Sequence, residues 1–320
     1  MGMLSGLFGK RGRLAWASFL SESEYQTFTA LTQKALAAHS ATPDFDGGTA
    51  KVRIDGKVRS VGLSDLARKC HVSNPQGWSG LIAEHFDRLV NQRGKSLVAE
   101  LGTSFDKAKG YLKAQLVPDD FVRPDWVEGE NFKSLKGGVN VALVYDLPES
   151  VTSVPMAHVR TWKLPLSELL EAAVANVKKG EPALVPKRLD LKSTFVFTLE
   201  GKSFFVCSHA LWLQEYAEAR SPNGVLFTVP SRHVIQFHPM KDSKASEALK
   251  VLALTARKLS SQLPGPISTH VFWSRGDEIV PIPFAIDAQG VPFPCVVSEK
   301  GEGIEPVTQL LALLQQLPRG

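Results

Sequence analysis

Four basic side chains within one short segment form the group of residues best suited to binding. The segment KVRIDGKVRS is typical of a β-hairpin that turns at Asp55-Gly56. Basic side chains that share one face of a hairpin are suited to phosphate groups, nucleic acid or an acidic partner. The candidate binding residues are Lys51, Arg53, Lys57 and Arg59.

The register of this hairpin decides whether those side chains lie together. A two-residue loop pairs Ile54 with Lys57 and mixes apolar and charged side chains on one face. A three-residue loop pairs Ile54 with Val58 and separates the two kinds of side chain. We expect the three-residue loop, because a buried face fixes register. It places Lys51, Arg53 and Arg59 together on the solvent face.

No local catalytic motif is complete. Gly94-Lys95-Ser96 matches the end of a phosphate-binding loop, but Leu89 stands where the first glycine belongs. Gly77-Trp78-Ser79-Gly80 lacks the final glycine of a nucleophile elbow, because Leu81 occupies that position. We therefore assign no catalytic residue. An alternative is a site assembled from distant segments, with polar candidates near predicted hairpin ends: Asp146, His209, Arg275 and Asp277.

The cysteine and histidine pattern predicts neither a metal site nor a cofactor. A zinc site needs three or four converging ligands, and Cys207 and His209 supply two. We interpret Cys207 as a packed thiol and His85 as a hydrogen-bonded core histidine. Three widely spaced cysteines are typical of a reducing compartment, so we expect a cytoplasmic protein.

Composition excludes several classes of protein. The chain has 320 residues, 43% hydrophobic residues, 22% charged residues and a formal net charge of +5. Its mean hydropathy is -0.05. These values exclude a mostly disordered or collagen-like chain. The sequence contains no run of 18 apolar residues, so we expect no transmembrane helix.

The elements that must position these residues follow from capping signals and periodicity. Ser21 and Glu24 form a capping box at the start of a first helix, and apolar spacing predicts a later helix over 165–179. The second half then repeats two strands and a helix. Strands are predicted near 195–199, 203–207, 225–229, 233–237, 269–274, 278–282 and 291–297, and helices near 210–219, 243–262 and 304–317.

Short turns between paired strands favour antiparallel sheets. We therefore predict an α+β fold whose antiparallel sheets are built from repeated β-β-α units, with helices packed on one face. The glycine- and proline-rich stretch 118–138 is predicted to be a linker between an N-terminal domain over 1–117 and a C-terminal domain over 139–320.

Four segments carry a resemblance to a known family. They are ALVYDLPESV, LPLSELLEAAVANV, GVLFTVPSRHVIQF and HVFWSRGDEIVPIPF, which lie within 139–177 and 224–284. In these segments the chain resembles the YtpQ-like family of uncharacterised bacterial proteins. The resemblance implies a cytosolic bacterial α+β protein and brings no established activity or catalytic residues.

These observations favour a non-enzymatic protein that binds a macromolecular partner or regulates one. A protein partner is the leading hypothesis. The second hypothesis is binding of phosphate or nucleic acid through the hairpin over 51–59. The third is an enzyme whose site is assembled from the four distant polar residues.

Overall fold

The computed structural model describes residues 15–54, 57–90, 95–148, 150–276, 278–286, 292–294 and 304–318. The chain divides into two compact units, Met1–Arg93 and Gly94–Gly320. This division does not coincide with the predicted linker at 118–138. That segment contributes a strand to a sheet of the second unit, and its glycines Gly129, Gly137 and Gly138 have the positive φ that is typical of tight turns.

The first unit packs three helices on a small antiparallel sheet. The sheet has the strand order β1-β2-β3. Its core contains Phe28, Leu36, Val52, Trp78 and Phe86. The elements are α1 (Glu22–Ala38), β1 (Thr42–Asp44), β2 (Thr49–Ile54), β3 (Lys57–Gly62), α2 (Ser64–His71) and α3 (Trp78–Val90).

The predicted capping box at the start of α1 is confirmed. The Ser21 side chain accepts a hydrogen bond from the Glu24 backbone N–H, and the Glu24 carboxylate accepts one from the Ser21 N–H. Glu24 also contacts His71 of α2. Burial alone would raise the pKa of Glu24, but the hydrogen bonds from Ser21 and His71 outweigh it and lower that pKa.

The second unit begins with two short helices and a four-stranded antiparallel sheet. In this sheet β6 is central and pairs with β4, β5 and β7. Two further helices follow. The elements are α4 (Lys95–Leu101), α5 (Phe105–Ala108), β4 (Leu112–Pro118), β5 (Phe132–Lys136), β6 (Val139–Leu147), β7 (Ser150–Ser153), α6 (Met156–Trp162) and α7 (Leu166–Gly180).

The rest of the second unit contains a six-stranded antiparallel sheet, a separate two-stranded sheet and two helices. The strand order is β13-β12-β10-β11-β9-β8. The strands are β8 (Lys187–Asp190), β9 (Phe195–Glu200), β10 (Val225–Ser231), β11 (Val234–Pro239), β12 (Val271–Arg275) and β13 (Glu278–Ile282). The remaining elements are α8 (Lys244–Gln262), β14 (Phe284–Ile286), β15 (Pro292–Pro294) and α9 (Ile304–Gln316).

The six-stranded sheet has apolar residues on both faces. One face packs with α8 and α9 through residues such as Val196, Leu226 and Trp273. The other face, including Phe227 and Phe237, shares a core with the four-stranded sheet and α7. The prediction of an α+β fold with antiparallel sheets is confirmed.

The predicted repetition of β-β-α units is not confirmed. Residues 203–207 do not form a strand beside β9, which pairs with β8 and β11 instead. The chain enters a 3-10 helix over Val206–Glu215. Residues 205–210 are all buried, so interior packing on every side overrides the alternating pattern that favoured a strand.

Candidate functional site

The basic hairpin has a different register from the predicted one. β2 and β3 pair Ile54 with Lys57, Arg53 with Val58 and Val52 with Arg59, so the loop has two residues. The predicted three-residue loop is wrong. Asp-Gly strongly favours two-residue turns, and β3 is an edge strand whose Val58 is 60% exposed, so its apolar residues need no separate buried face.

This register separates the predicted basic cluster. Lys51 and Arg53 are exposed and lie opposite Ser60 and Val58, whereas Arg59 lies opposite the buried Val52. Arg53 and Arg59 therefore do not face each other on one surface. The turn residues 55–56 and the Lys57 side chain lie outside the described residues. Binding of phosphate through Lys51, Arg53, Lys57 and Arg59 stays a prediction.

Asp146, one of the distant polar candidates, belongs to a partly buried ion cluster centred on Lys113. The Lys113 Nζ atom lies 2.7 Å from Asp146 Oδ2 and 3.0 Å from Glu181 Oε1. It also lies 4.4 Å from the centre of the Phe205 ring. Burial alone would lower the pKa of Lys113, but its hydrogen bonds and ion pairs with the two carboxylates raise it. The ammonium therefore stays protonated and joins β4, β6 and the end of α7.

His209 lies close enough to this cluster for the negative charge of Glu181 to affect the pKa of its imidazole. Its Nδ1 atom is 2.6 Å from the Tyr216 hydroxyl oxygen, and its ring packs on Trp212. Burial lowers the pKa of His209, and the opposing charge of Glu181 does not overcome it. The imidazole is therefore neutral at physiological pH, and the hydrogen bonds of the described Cys207 and Ser208 side chains go to other groups.

Arg275, a third distant candidate, forms no ion pair among the described residues with Lys113, Asp146 or Glu181 and lies in the six-stranded sheet rather than the four-stranded one. Arg275 lies over the Trp273 ring at 5.0 Å and pairs with Glu278 across the β12–β13 turn. Asp277 lies outside the described residues. Among the described residues, no three histidine, cysteine, aspartate or glutamate side chains are placed to hold a metal ion.

The two cysteines that the structure describes are free and buried. Burial raises the pKa of Cys70 to about 12 and that of Cys207 to about 11. The interpretation of Cys207 as a packed thiol is confirmed. His85 is largely buried, and burial lowers its pKa to about 4. Its Nε2 atom has no hydrogen-bond partner among the described residues, which differs from the hydrogen-bonded histidine expected.

The outer edge of β4 is closed by side chains. Asn176 Nδ2 donates to the Leu112 carbonyl at 2.8 Å, and Ser208 Oγ donates to the Ala114 carbonyl at 2.7 Å. The Cys207 thiol donates weakly to the Leu116 carbonyl at 3.7 Å. Because successive outward carbonyls are two residues apart, these three groups occupy the positions that a neighbouring strand would use.

The β13 edge of the six-stranded sheet is also obstructed. Pro281 has no backbone N–H to offer a further strand. Gly137, in the β5–β6 turn, has a φ of +56°, and a Cβ atom there would lie 2.7 Å from Pro281 Cβ. The turn therefore packs directly against β13, and a glycine is required at the contact.

The opposite edge of the same sheet is open. All four residues of β8 are exposed, and the strand pairs with β9 along its length. Three large apolar side chains lie in and beside it, with exposed fractions of 78% for Val185, 52% for Leu189 and 36% for Leu191. Within the part of the chain that the structure describes, no side chain hydrogen-bonds the β8 backbone.

Sequence reasoning missed β8, whose four residues are too few and too polar to predict a strand. One signal was present: Val185, Leu189 and Leu191 have the same parity, as expected for one face of an extended segment. The charged residues are Lys187, Arg188, Asp190 and Lys192. The Arg188 guanidinium lies 4.0 Å from the centre of the Phe195 ring and 2.8 Å from Asp190 Oδ1.

Comparisons of the chain with models of protein families, with curated proteins and with solved structures found no match. The resemblance to the YtpQ-like family stays a prediction. Among the described residues, no helix combines the length and apolar character needed to cross a membrane.

Proposed function

We propose that this chain is a non-enzymatic protein that binds an extended segment of a partner protein by adding it as a strand beside β8. The observation that carries the proposal is the open edge: four exposed strand residues flanked by exposed apolar side chains. Strand addition supplies main-chain hydrogen bonds for affinity and side-chain contacts for specificity.

Charged side chains on an edge strand often prevent unwanted pairing, and Lys187 and Arg188 are suited to that role. The exposed apolar residues distinguish a protective edge from a binding edge. A purely protective edge does not need Val185, Leu189 and Leu191 beside its charges, because exposed apolar groups promote association. Their clustering at an exposed edge strand, whose backbone accepts and donates no side-chain hydrogen bond among the described residues, supports a binding role.

The ion cluster around Lys113 supports an enzyme less well. Its lysine is neutralised by two carboxylates and kept protonated, so it serves neither as a base nor as a nucleophile. The free cysteines Cys70 and Cys207 support a cytoplasmic location, where thiols stay reduced.

The test begins with selection of short random peptides on the full chain. Two proline variants, Arg188→Pro and Leu189→Pro, then examine the edge. Successive residues of a strand direct their N–H groups to opposite sides. One of the two prolines therefore replaces an N–H that faces β9 and is called the inward proline, and the other replaces an N–H that faces away from β9 and is called the outward proline. The inward proline lowers the free energy of unfolding. The outward proline leaves that free energy nearly unchanged and abolishes binding of the selected peptides.

Binding that survives both prolines overturns the proposal, as does selection of peptides that bind away from β8. A second measurement covers the case in which neither variant folds. Selected peptides are N-methylated at alternate positions, in two complementary patterns, and tested on the wild-type chain. Strand addition uses one edge of the peptide, so one pattern blocks binding and the other is tolerated. Equal effects of the two patterns contradict strand addition.

A further inference from the structure

The two faces of β8 carry different chemistry. Arg188 lies opposite Phe197 and Asp190 lies opposite Phe195, on one face of the sheet. Lys187 lies opposite Thr198 and Leu189 lies opposite Val196, on the other. A strand added beside β8 places one side chain next to each of these four residues, on alternating faces.

The order of charges along β8 specifies its complement. Opposite charges on directly paired residues stabilise a sheet, and like charges destabilise it. Lys187 and Arg188 therefore favour acidic residues, Leu189 favours an apolar residue, and Asp190 favours a residue without negative charge. We infer that the partner segment is an extended strand in which two adjacent acidic residues stand next to an apolar one. This inference rests on the proposed function.

The basic groups of β8 are available for exchange. Arg188 pairs with Asp190, and Lys187 pairs with Glu200, and all four side chains are at least half exposed. Exposed pairs of this kind contribute little, so a partner carboxylate replaces them at small cost. The Phe195 ring beneath Arg188 holds the guanidinium at the edge before the partner arrives.

A second copy of this chain complements the edge less well. Antiparallel pairing of two β8 strands about their centre sets Lys187 opposite Asp190, which is favourable. It also sets Arg188 opposite Leu189, which leaves the guanidinium without a carboxylate. An acidic segment satisfies both basic residues, and for this reason we assign the edge to a different protein.

The test uses two synthetic peptides, Ser-Thr-Val-Glu-Glu-Val-Thr-Ser and the same peptide with both Glu replaced by Lys. The Val-Glu-Glu-Val core reads the same in both directions, so it fits parallel and antiparallel addition. We expect the acidic peptide to bind the wild-type chain at least about tenfold more tightly than the basic peptide. In a Lys187→Glu/Arg188→Glu variant the preference reverses.

The matched control is Lys133→Glu/Lys258→Glu, which changes the net charge equally at exposed residues away from β8. It is expected to change either affinity by less than about twofold, because screening weakens distant charges. If the control variant loses as much affinity for the acidic peptide as the β8 variant does, the inference is overturned, because net charge then explains the binding. Absence of the reversal overturns it too.

The failures of the two proposals are distinguishable. If both peptides bind the wild-type chain equally and the outward proline abolishes both, strand addition stands and the acidic preference is wrong. If the acidic peptide binds the outward proline variant as well as wild type, the proposed function is wrong. A dimer in sedimentation that Asp190→Lys breaks and Asp190→Lys/Lys187→Asp restores assigns the edge to a second copy, which overturns the acidic partner.

Discussion

The edges at β4 and β8 show two ways in which a strand can end a sheet. At β4 the outward carbonyls accept hydrogen bonds from Asn176, Ser208 and Cys207, and the apolar residues are buried. At β8 the strand residues are exposed, and the described side chains leave its outward backbone groups to solvent. The difference teaches that closure of an edge depends on the segments packed beside it. Substitutions at β4 should therefore reduce stability, and those at β8 should reduce binding.

The largest expected effect is at the Lys113 cluster on β4. Lys113→Met leaves Asp146 and Glu181 beside each other without their shared cation. Loss of one partner from a buried ion cluster costs about 3 kcal/mol of unfolding free energy, and the partial exposure of Asp146 places this case at the lower end. Urea denaturation measures the loss. The matched variant Lys187→Met on β8 should cost less than about 0.5 kcal/mol, and equal losses would contradict the comparison.

Thiol reactivity separates the two edges next. The pKa of Cys207 is raised to about 11, so its thiol stays protonated near neutral pH. A cysteine introduced on β8 by Leu189→Cys should have a pKa near about 8.5. At about pH 8, Cys207 should react with iodoacetamide more than about 100-fold more slowly than the cysteine introduced at position 189. Mass spectrometry of the two cysteine-containing fragments of the digested chain measures both rates.

The pH dependence sharpens this prediction. The rate at Cys207 should rise about tenfold per pH unit until the pH approaches its pKa, whereas the rate at Leu189→Cys should level off near about pH 9. Comparable rates at both positions would show that the β4 edge is open.

A smaller effect is expected from a single closing hydrogen bond. Ser208→Ala removes the donor to the Ala114 carbonyl and leaves that buried oxygen unsatisfied. The expected loss of unfolding free energy is about 1–2 kcal/mol. Ser79→Ala, at an exposed position of α3, serves as the control and should change stability by less than about 0.5 kcal/mol. A loss no larger than the control's would mean that Ser208 does not close the edge.

The smallest stability effect is expected at β8 itself. Leu189→Asp removes an exposed apolar side chain and adds a negative charge beside Asp190. The free energy of unfolding should change by less than about 0.5 kcal/mol, because Leu189 is already 52% exposed. Affinity for the selected peptides should nevertheless fall by about tenfold or more. A large loss of stability with unchanged affinity would reverse the roles assigned to the two edges.

Strong local signals predicted much of the fold. The capping box of Ser21 and Glu24, the apolar stripe of α7 and the α8 helix all appear where periodicity placed them. These elements carry their own information, because helix caps and a 3.6-residue period depend on neighbours in sequence. The strands β10 to β13 were also predicted, because alternating apolar residues and short turns are likewise signals between neighbours in sequence.

Features decided by distant contacts were not predictable. The segment 203–207 alternates like a strand but is surrounded by core, and the hairpin register followed the Asp-Gly turn rather than the apolar pattern. The cluster around Lys113 could not be predicted from local spacing, because Asp146 and Glu181 are far from Lys113 in sequence. The β8 edge is open because no described segment packs over it, and the position of distant segments cannot be predicted from the local sequence.

Amide hydrogen exchange, measured with and without a display-selected peptide, tests the central claim most directly. In the free chain, the outward amides of β8 should exchange rapidly, whereas those of β6, between its neighbouring strands, should be protected. On peptide binding, we predict at least about tenfold slower exchange at 187–190, with β4 unchanged. Protection that appears elsewhere while β8 continues to exchange at its free rate would contradict the account.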